Sequence, residues 1–246
     1  MHKFFVSPEA VGADVITISG QDVNHIKAVL RMQPGEQFYV STGQDREYRC
    51  ELCGFEQDTV IARIVDVYGS NRELPTRITL FQALPKGDKM ETIIQKAVEL
   101  GVYSIVPFSS KRTVVKLDDK KKQKKLQRWN AIAEAAAKQS KRNIIPKVED
   151  ILTFSKALCQ AETMNHTIIP YENAEGMNGS RQTIYSLKGS ESIAVFIGPE
   201  GGFAEEEVQQ AVECGAKPIT LGHRILRTET AGMTMLSILM FLLEEE

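Results

Sequence analysis

The 246-residue sequence predicts an α/β protein: a small N-terminal β-barrel followed by a parallel sheet covered with helices. Three observations predict it. Residues 1–72 are dominated by short runs that alternate apolar and polar positions between turns, the pattern of a compact all-β unit. From residue 73 onward strands alternate with helical stretches. Those later strands are apolar along their whole length, as strands buried on both faces must be. The boundary is expected in "SNRELPTR", Ser70 to Arg77, a polar stretch with a proline where the pattern changes.

In the first part, "FFVS", "VITIS", "EQFYVST", "YRCELCGF" and "TVIARIVDVYG" predict strands. One helical patch, "QDVNHIKAVLRM", interrupts them before the Pro34-Gly35 turn. His25 lies in this patch with nothing to pair with and is read as a structural or surface residue. Cys50 and Cys53 share a predicted strand, where residues three apart point to opposite faces. No second C-x-x-C or spaced histidine pair completes a zinc set, so no metal is expected. With Cys159 and Cys214 they are read as ordinary buried thiols.

In the second part, "RITLFQAL" predicts a strand and "DKMETIIQKAVELG" a helix. Asp88 can cap that helix, with Glu91 three residues on, and Gly101 can close it. Met90, Ile93, Ile94 and Ala97 fall on one face of it. "YSIVPF" is a strand, and "KKLQRWNAIAEAAAKQS" a helix with Leu126, Trp129, Ile132 and Ala136 on one side. "ILTFSKALCQA" is a shorter helix, while "HTIIPY", "ESIAVFIG" and "KPITLG" are strands. "AEEEVQQAVECG" and "TETAGMTMLSILMFLL" are the last two helices. The most apolar stretch, Ala231 to Leu243, is shorter than the ~20 residues of a membrane span and predicts a buried helix or an oligomer interface. No secretory pattern opens the chain, so a cytoplasmic protein without membrane contact is expected.

The net charge of −2 conceals an uneven distribution. Residues 74–150 carry 17 Lys+Arg against 8 Asp+Glu, while both flanking segments are acidic. The densest part runs from Lys111 to Asn130, and Lys86, Lys89, Lys141, Arg142 and Lys147 add to it from neighbouring elements. Such clustering predicts a nucleic-acid surface whose contacts are mostly to phosphates. Lys3, Lys27, Arg31, Lys86, Lys111, Arg112, Lys116, Lys141 and Arg142 are the expected RNA-binding residues.

In open α/β sheets ligands bind at the carboxyl ends of strands. Three loops hold that position: "PYENAEG", "GPEGGF" and "LGHRILRTET". The stretch "IGPEGGFAEEEV", Ile197 to Val208, matches neither specific phosphate-loop fingerprint. Glu205, Glu206 and Glu207 suit the positive end of the following helix and oppose a pyrophosphate there. A neutral or cationic ligand fits better, with the glycines allowing close backbone approach.

"IGPEGGF" and "LGHRILRTETA", together with "LPKGDKMETIIQKAVELGV", "RWNAIAEAAAKQSKRNIIP" and "HIKAVLRM", resemble the RsmE family of 16S ribosomal RNA uridine N3-methyltransferases, of the SPOUT class. The resemblance covers nearly the whole chain. It implies a PUA-like, RNA-binding β-barrel over 1–72. It implies a knotted (trefoil) parallel-sheet α/β methyltransferase domain over 73–246, with a C-terminal knot and a dimer interface. It also implies a homodimer, S-adenosylmethionine as cofactor, and the small ribosomal subunit as partner, with uridine 1498 of its 16S RNA as target. By analogy the cofactor pocket comprises Pro170, Tyr171, Ile197, Gly198, Pro199, Glu200, Gly201, Gly202, Leu221, Gly222, Arg224, Ile225, Leu226 and Arg227. One departure is Ala204, where family members often have serine, which removes an N-cap hydroxyl.

Uridine N3 must lose its proton before it attacks a methyl group. Arg227 is the expected stabiliser of the charge that spreads onto O2 and O4. Glu200 or Glu229 is the expected base, although Glu229 equally suits the first turn of the final helix as a dipole partner. Two alternatives stand beside this reading. One is a methyltransferase of the same class acting on another rRNA or tRNA nucleotide. The other is a non-catalytic RNA-binding protein.

Overall fold

The computed structural model describes residues 1–43, 46–69, 72–115, 118–174 and 176–244. Two compact units emerge from its contacts: Met1–Glu73 with Ala137–Ile145, and Leu74–Ala136 with Pro146–Glu246.

In the first unit, β1 (Lys3–Phe5), β2 (Val15–Ser19), β3 (Gln37–Ser41), β4 (Arg46–Glu56) and β5 (Thr59–Gly69) form one sheet in the order β1-β3-β4-β5-β2. All its pairings are antiparallel except β1 with β3. The period-2 pattern turns Ile16, Ile18, Phe38, Val40, Leu52 and Val60 inward onto Phe4, Ile26 and Met32. Ile26 comes from the helical patch, where α1 (Gln21–Asn24) runs into a single π turn over His25–Val29. His25 lies edge-on to Phe4 at 6.3 Å, a packing role. Of the four cysteines only Cys50 is buried, and burial pushes its thiol up to about 12. Cys53 and Cys159 are exposed and Cys214 is half-buried, so the reading of four buried thiols holds for Cys50 alone.

Residues 137–145 group with this unit and not with the second, because buried polar bonds fasten them there. Lys3 Nζ donates to Glu47 Oε1 at 2.7 Å, to Asn143 Oδ1 at 2.6 Å and to the Lys141 carbonyl at 3.1 Å. Ser41 Oγ donates to the Asn143 carbonyl, and the Arg142 guanidinium pairs with Glu73. Glu73 also accepts the Asn143 and Ile144 N–H groups. Lys3 and Arg142 are 5% and 4% exposed, which overturns their assignment to RNA. An ammonium or guanidinium buried this far must satisfy its donors inside the protein. Burial is the largest influence on Lys3 and holds its ammonium below the usual lysine range.

The second unit contains β6 (Arg77–Ala83), α2 (Lys89–Glu99), β7 (Ser104–Ser109), α3 (Asp119–Gln139, as far as Ala136), β8 (Lys147–Val148) and β9 (Leu152–Thr153). There follow α4 (Phe154–Ala161), β10 (His166–Pro170), α5 (Met177–Tyr185), β11 (Ser192–Ile197), α6 (Glu205–Glu213), β12 (Lys217–Ile219) and α7 (Thr228–Leu243). The sheet order is β12-β10-β11-β6-β7-β8, with β9 also on β7, and every pairing is parallel. Ile193 to Ile197 are buried one after another, so both faces of β11 are covered. On one face Phe81, Phe108, Phe154, Phe196 and Phe203 form an aromatic cluster, with Phe81 stacked on Phe196 at 4.4 Å. On the other, α7 packs against α2 and β11.

Three local features differ from expectation. Asp88 stands at the N-cap of α2 without a side-chain cap bond, and Glu91 turns to Arg128 instead. Gly101, at φ +86°, does close that helix. In α3, Ala133 is buried with Trp129 and Ala136, while Leu126 and Ile132 are half-buried. Helix α5 has no strong apolar stripe to announce it, burying only Ser180, whose hydroxyl accepts the Thr220 N–H. Among the described residues no helix is long and apolar enough to cross a membrane.

Candidate functional site

Because β10 lies between β11 and β12, the carboxyl ends of three neighbouring parallel strands stand side by side. The loops leaving them line one cleft. Its wall comprises Pro170, Tyr171 and Glu172 after β10. Ile197, Gly198, Pro199, Glu200, Gly202 and Phe203 follow from the end of β11. Thr220, Leu221, Gly222, Arg224, Ile225 and Leu226 lie after β12, and Thr228 and Ala231 lie at the start of α7. The expected cofactor residues meet here, except that Gly201 and Arg227 lie off the wall. Glu172, Phe203, Thr220, Thr228 and Ala231 were not singled out from the sequence. Glu172, Phe203 and Thr228 lie inside the loops already marked by their glycines and proline, and that adjacency was the available signal.

The glycine loop is tied down on three sides. Phe203 buries its ring against Phe108 and Phe154. A Cβ on Gly198 would sit 3.1 Å from that ring, and Gly202 adopts φ +68°. Thr228 Oγ1 donates to the Gly198 carbonyl at 2.6 Å and accepts from Gln82 Nε2 at 2.9 Å, both side chains being buried. Arg112 Nη1 donates to the Gly201 carbonyl at 2.7 Å. Arg112 is therefore a loop anchor, and it stays exposed at the surface.

The three glutamates behind the loop have separate fates. Glu207, 3% exposed, turns back so that Oε2 accepts the Ala204 N–H and Oε1 the Lys111 N–H. This is the carboxylate half of a capping box, and the alanine methyl cannot supply the other half. Glu206 pairs with Lys111 Nζ at 3.0 Å, an ion pair between two exposed side chains. Glu205 is exposed.

A compact charge cluster sits at the rim. Glu200 Oε1 accepts the Lys86 N–H at 3.0 Å and Lys89 Nζ at 2.9 Å. Lys89 Nζ is also 3.7 Å from Glu229 Oε2, which is buried without a hydrogen-bond partner among the described residues. Partial burial is the largest single influence on Glu200 and pushes its carboxyl up. The Lys89 bond and backbone donors outweigh it, so the net shift is below the usual range. Lys89 is held above the usual lysine range, chiefly by its bond to Glu200. Arg227, the exposed N-cap of α7, adds its charge beside Lys89.

The remaining residues expected on RNA scatter over the surface. Lys27 lies over the Phe55 ring, and Arg31, Lys86 and Lys141 are exposed. Lys116 lies outside the described residues.

A family profile described as an RNA methyltransferase domain matches residues 72–240, and one described as an RNA methyltransferase PUA domain matches 18–65. Ribosomal RNA small subunit methyltransferase E of Bacillus subtilis is 37% identical, aligned over 98% of this chain and 96% of its own. The protein of the same name from Aquifex aeolicus is 32% identical over 98% and 99%. Among solved structures, ribosomal RNA small subunit methyltransferase E from Neisseria gonorrhoeae, bound to S-adenosylmethionine, superposes with a TM-score of 0.85 at 33% identity, covering 98% of both chains. A Legionella pneumophila methyltransferase in complex with the same cofactor gives 0.84 at 34% identity, covering 96% of both.

Proposed function

The chain belongs to the ribosomal RNA small subunit methyltransferase E family, and from that premise we propose that it methylates N3 of one uridine in 16S ribosomal RNA at this cleft, using S-adenosylmethionine. The observation that carries the proposal is the wall itself. Backbone approaches closely at Gly198 and Gly202, apolar Ile197, Leu221, Ile225 and Leu226 flank it, and Glu172 and Glu200 supply negative charge. A ligand with an adenine, a ribose, a sulfonium and an ammonium suits that lining. Arg224 is the wall's cation for the ligand's carboxylate.

When bound, the cofactor supplies an electrophilic methyl group. The chain must orient the uracil and take its N3 proton. Of the two carboxylates, Glu200 already accepts from Lys86 and Lys89, whereas Glu229 Oε2 has no donor, so Glu229 is the proposed base. Arg227, at the rim beside it, neutralises the charge left on O2 and O4. Glu200 then serves as a loop anchor. We read the three converging loops as the trefoil knot of the family, residues 1–72 as its RNA-binding barrel and 73–246 as its catalytic domain. The apolar outer face of α7, where Phe241 is 88% exposed, is read as the homodimer surface of a cytoplasmic enzyme.

Mass spectrometry of 16S ribosomal RNA from cells lacking the gene tests the reading. The expected result is the loss of a single N3-methyluridine, restored by the wild-type chain. Unaltered 16S RNA with a change in another rRNA or in tRNA would move the target. No binding of S-adenosylmethionine in isothermal titration would leave only an RNA-binding role.

A further inference from the structure

Lys89 opens α2, where a cation opposes the partial positive charge of the helix N-terminus. Something outside the helix must hold it there. Its ammonium stands between two carboxylates from far along the chain, hydrogen-bonded to Glu200 at 2.9 Å and ion-paired with Glu229 at 3.7 Å. All three side chains are largely covered, with 33%, 26% and 21% exposure for Lys89, Glu200 and Glu229. The charged groups acting on Lys89 are Glu200 from the glycine loop and Glu229 and Arg227 from the start of α7. Two cations and two anions thus balance at the rim, and Lys89 belongs to none of the three loops.

Resting on the reading above, we propose that Lys89 is a positioning residue for methyl transfer: it binds Glu200 by hydrogen bond and Glu229 by charge alone, which leaves the Glu229 carboxylate, still 21% exposed, without a hydrogen-bond donor and able to take the uridine proton. The asymmetry carries the assignment. An ammonium at hydrogen-bond distance from both carboxylates would occupy the base. One at hydrogen-bond distance from neither would leave two carboxylates repelling each other across the rim, and one of them would take up a proton. The observed placement avoids both outcomes. Lysine suits the task because its point charge can serve two partners at unequal distance.

The glycine loop keeps its Thr228 and Arg112 anchors without Lys89, so cofactor binding and turnover separate in a variant. In Lys89→Met, kcat with undermethylated small subunits should fall about tenfold or more. The dissociation constant for S-adenosylmethionine should stay within about threefold of wild type. The acidic limb of the kcat–pH profile should move to higher pH, because Glu200 loses the cation that holds its carboxyl below the usual range. Lys89→Arg, which keeps the charge but not its point geometry, should return the limb and restore kcat in part. A Lys89→Met protein with wild-type kcat and profile, even one that melts at a lower temperature, overturns the proposal and leaves Lys89 a stability role. If Lys89→Met does not fold, Lys89→Gln removes the charge while keeping donors, and is held to the same outcomes. A wild-type chain that transfers no methyl to the subunit sinks the functional reading and this inference with it. An active wild type beside an unaltered variant sinks this inference alone.

Discussion

Glu200 and Glu229 are the same residue type within reach of one ammonium, yet their oxygens are engaged differently, and that difference sets their proposed roles. Glu200 is held ionised by Lys89 and backbone N–H groups against the opposing effect of burial. Its folded value lies below the ordinary 4.5, so the loop anchoring it supplies is complete above that pH. The anchoring is lost as pH falls through the lower folded value. Urea unfolding followed against pH should therefore show stability decline on the acid side, and Glu200→Gln should flatten that part of the curve. Arg227 lies off the cleft wall beside the same cluster. Arg227→Ala should accordingly cost roughly a hundredfold in kcat, the scale of one lost donor to a developing anion. Its dissociation constant for S-adenosylmethionine should change little. Normal turnover in that variant would remove Arg227 from the chemistry.

At the scale of elements, α6 illustrates how a motif can mark an element without fixing the contacts within it. The run of three glutamates signals a helix start, and the start falls at Glu205. Which glutamate caps it depended on Lys111, nearly a hundred residues earlier, whose N–H fills the second oxygen of Glu207. Glu207→Ala should cost about 1–2 kcal/mol of unfolding free energy, since a buried cap and an orphaned N–H are lost together. Ala204→Ser should gain about 1 kcal/mol by completing the capping box. Urea denaturation monitored by circular dichroism measures both. A Glu207→Ala protein as stable as wild type would show the cap to be idle. Helix α5 stayed hidden for the opposite reason: it buries one serine, so no apolar period marks it.

For the molecule as a whole, the uneven charge of residues 74–150 misled most where its cations are structural. Arg142→Ala should destabilise the protein by about 3 kcal/mol in urea, because Glu73 would be left half-covered without its guanidinium. Its effect on RNA affinity, measured at a denaturant-free temperature well below melting, should be small. A weakened RNA complex with unchanged stability would return Arg142 to the RNA surface. Apart from β8 and from β9, which falls in a stretch read as helix, the strands, most helices and the three loops at the strand ends were legible in the sequence, because period, turn residues and glycine spacing are local and survive in a one-dimensional string. Which cations face solvent was not legible. Lys3 meets Asn143 across 140 positions and Lys89 meets Glu200 across 111, and such pairings exist only once the chain has folded. The sequence by itself determined the elements and the place of the cleft, since both follow from local pattern and parallel topology. Only the tertiary structure decided which charges bind the protein itself, because burial makes each of those ions find its partner at long range.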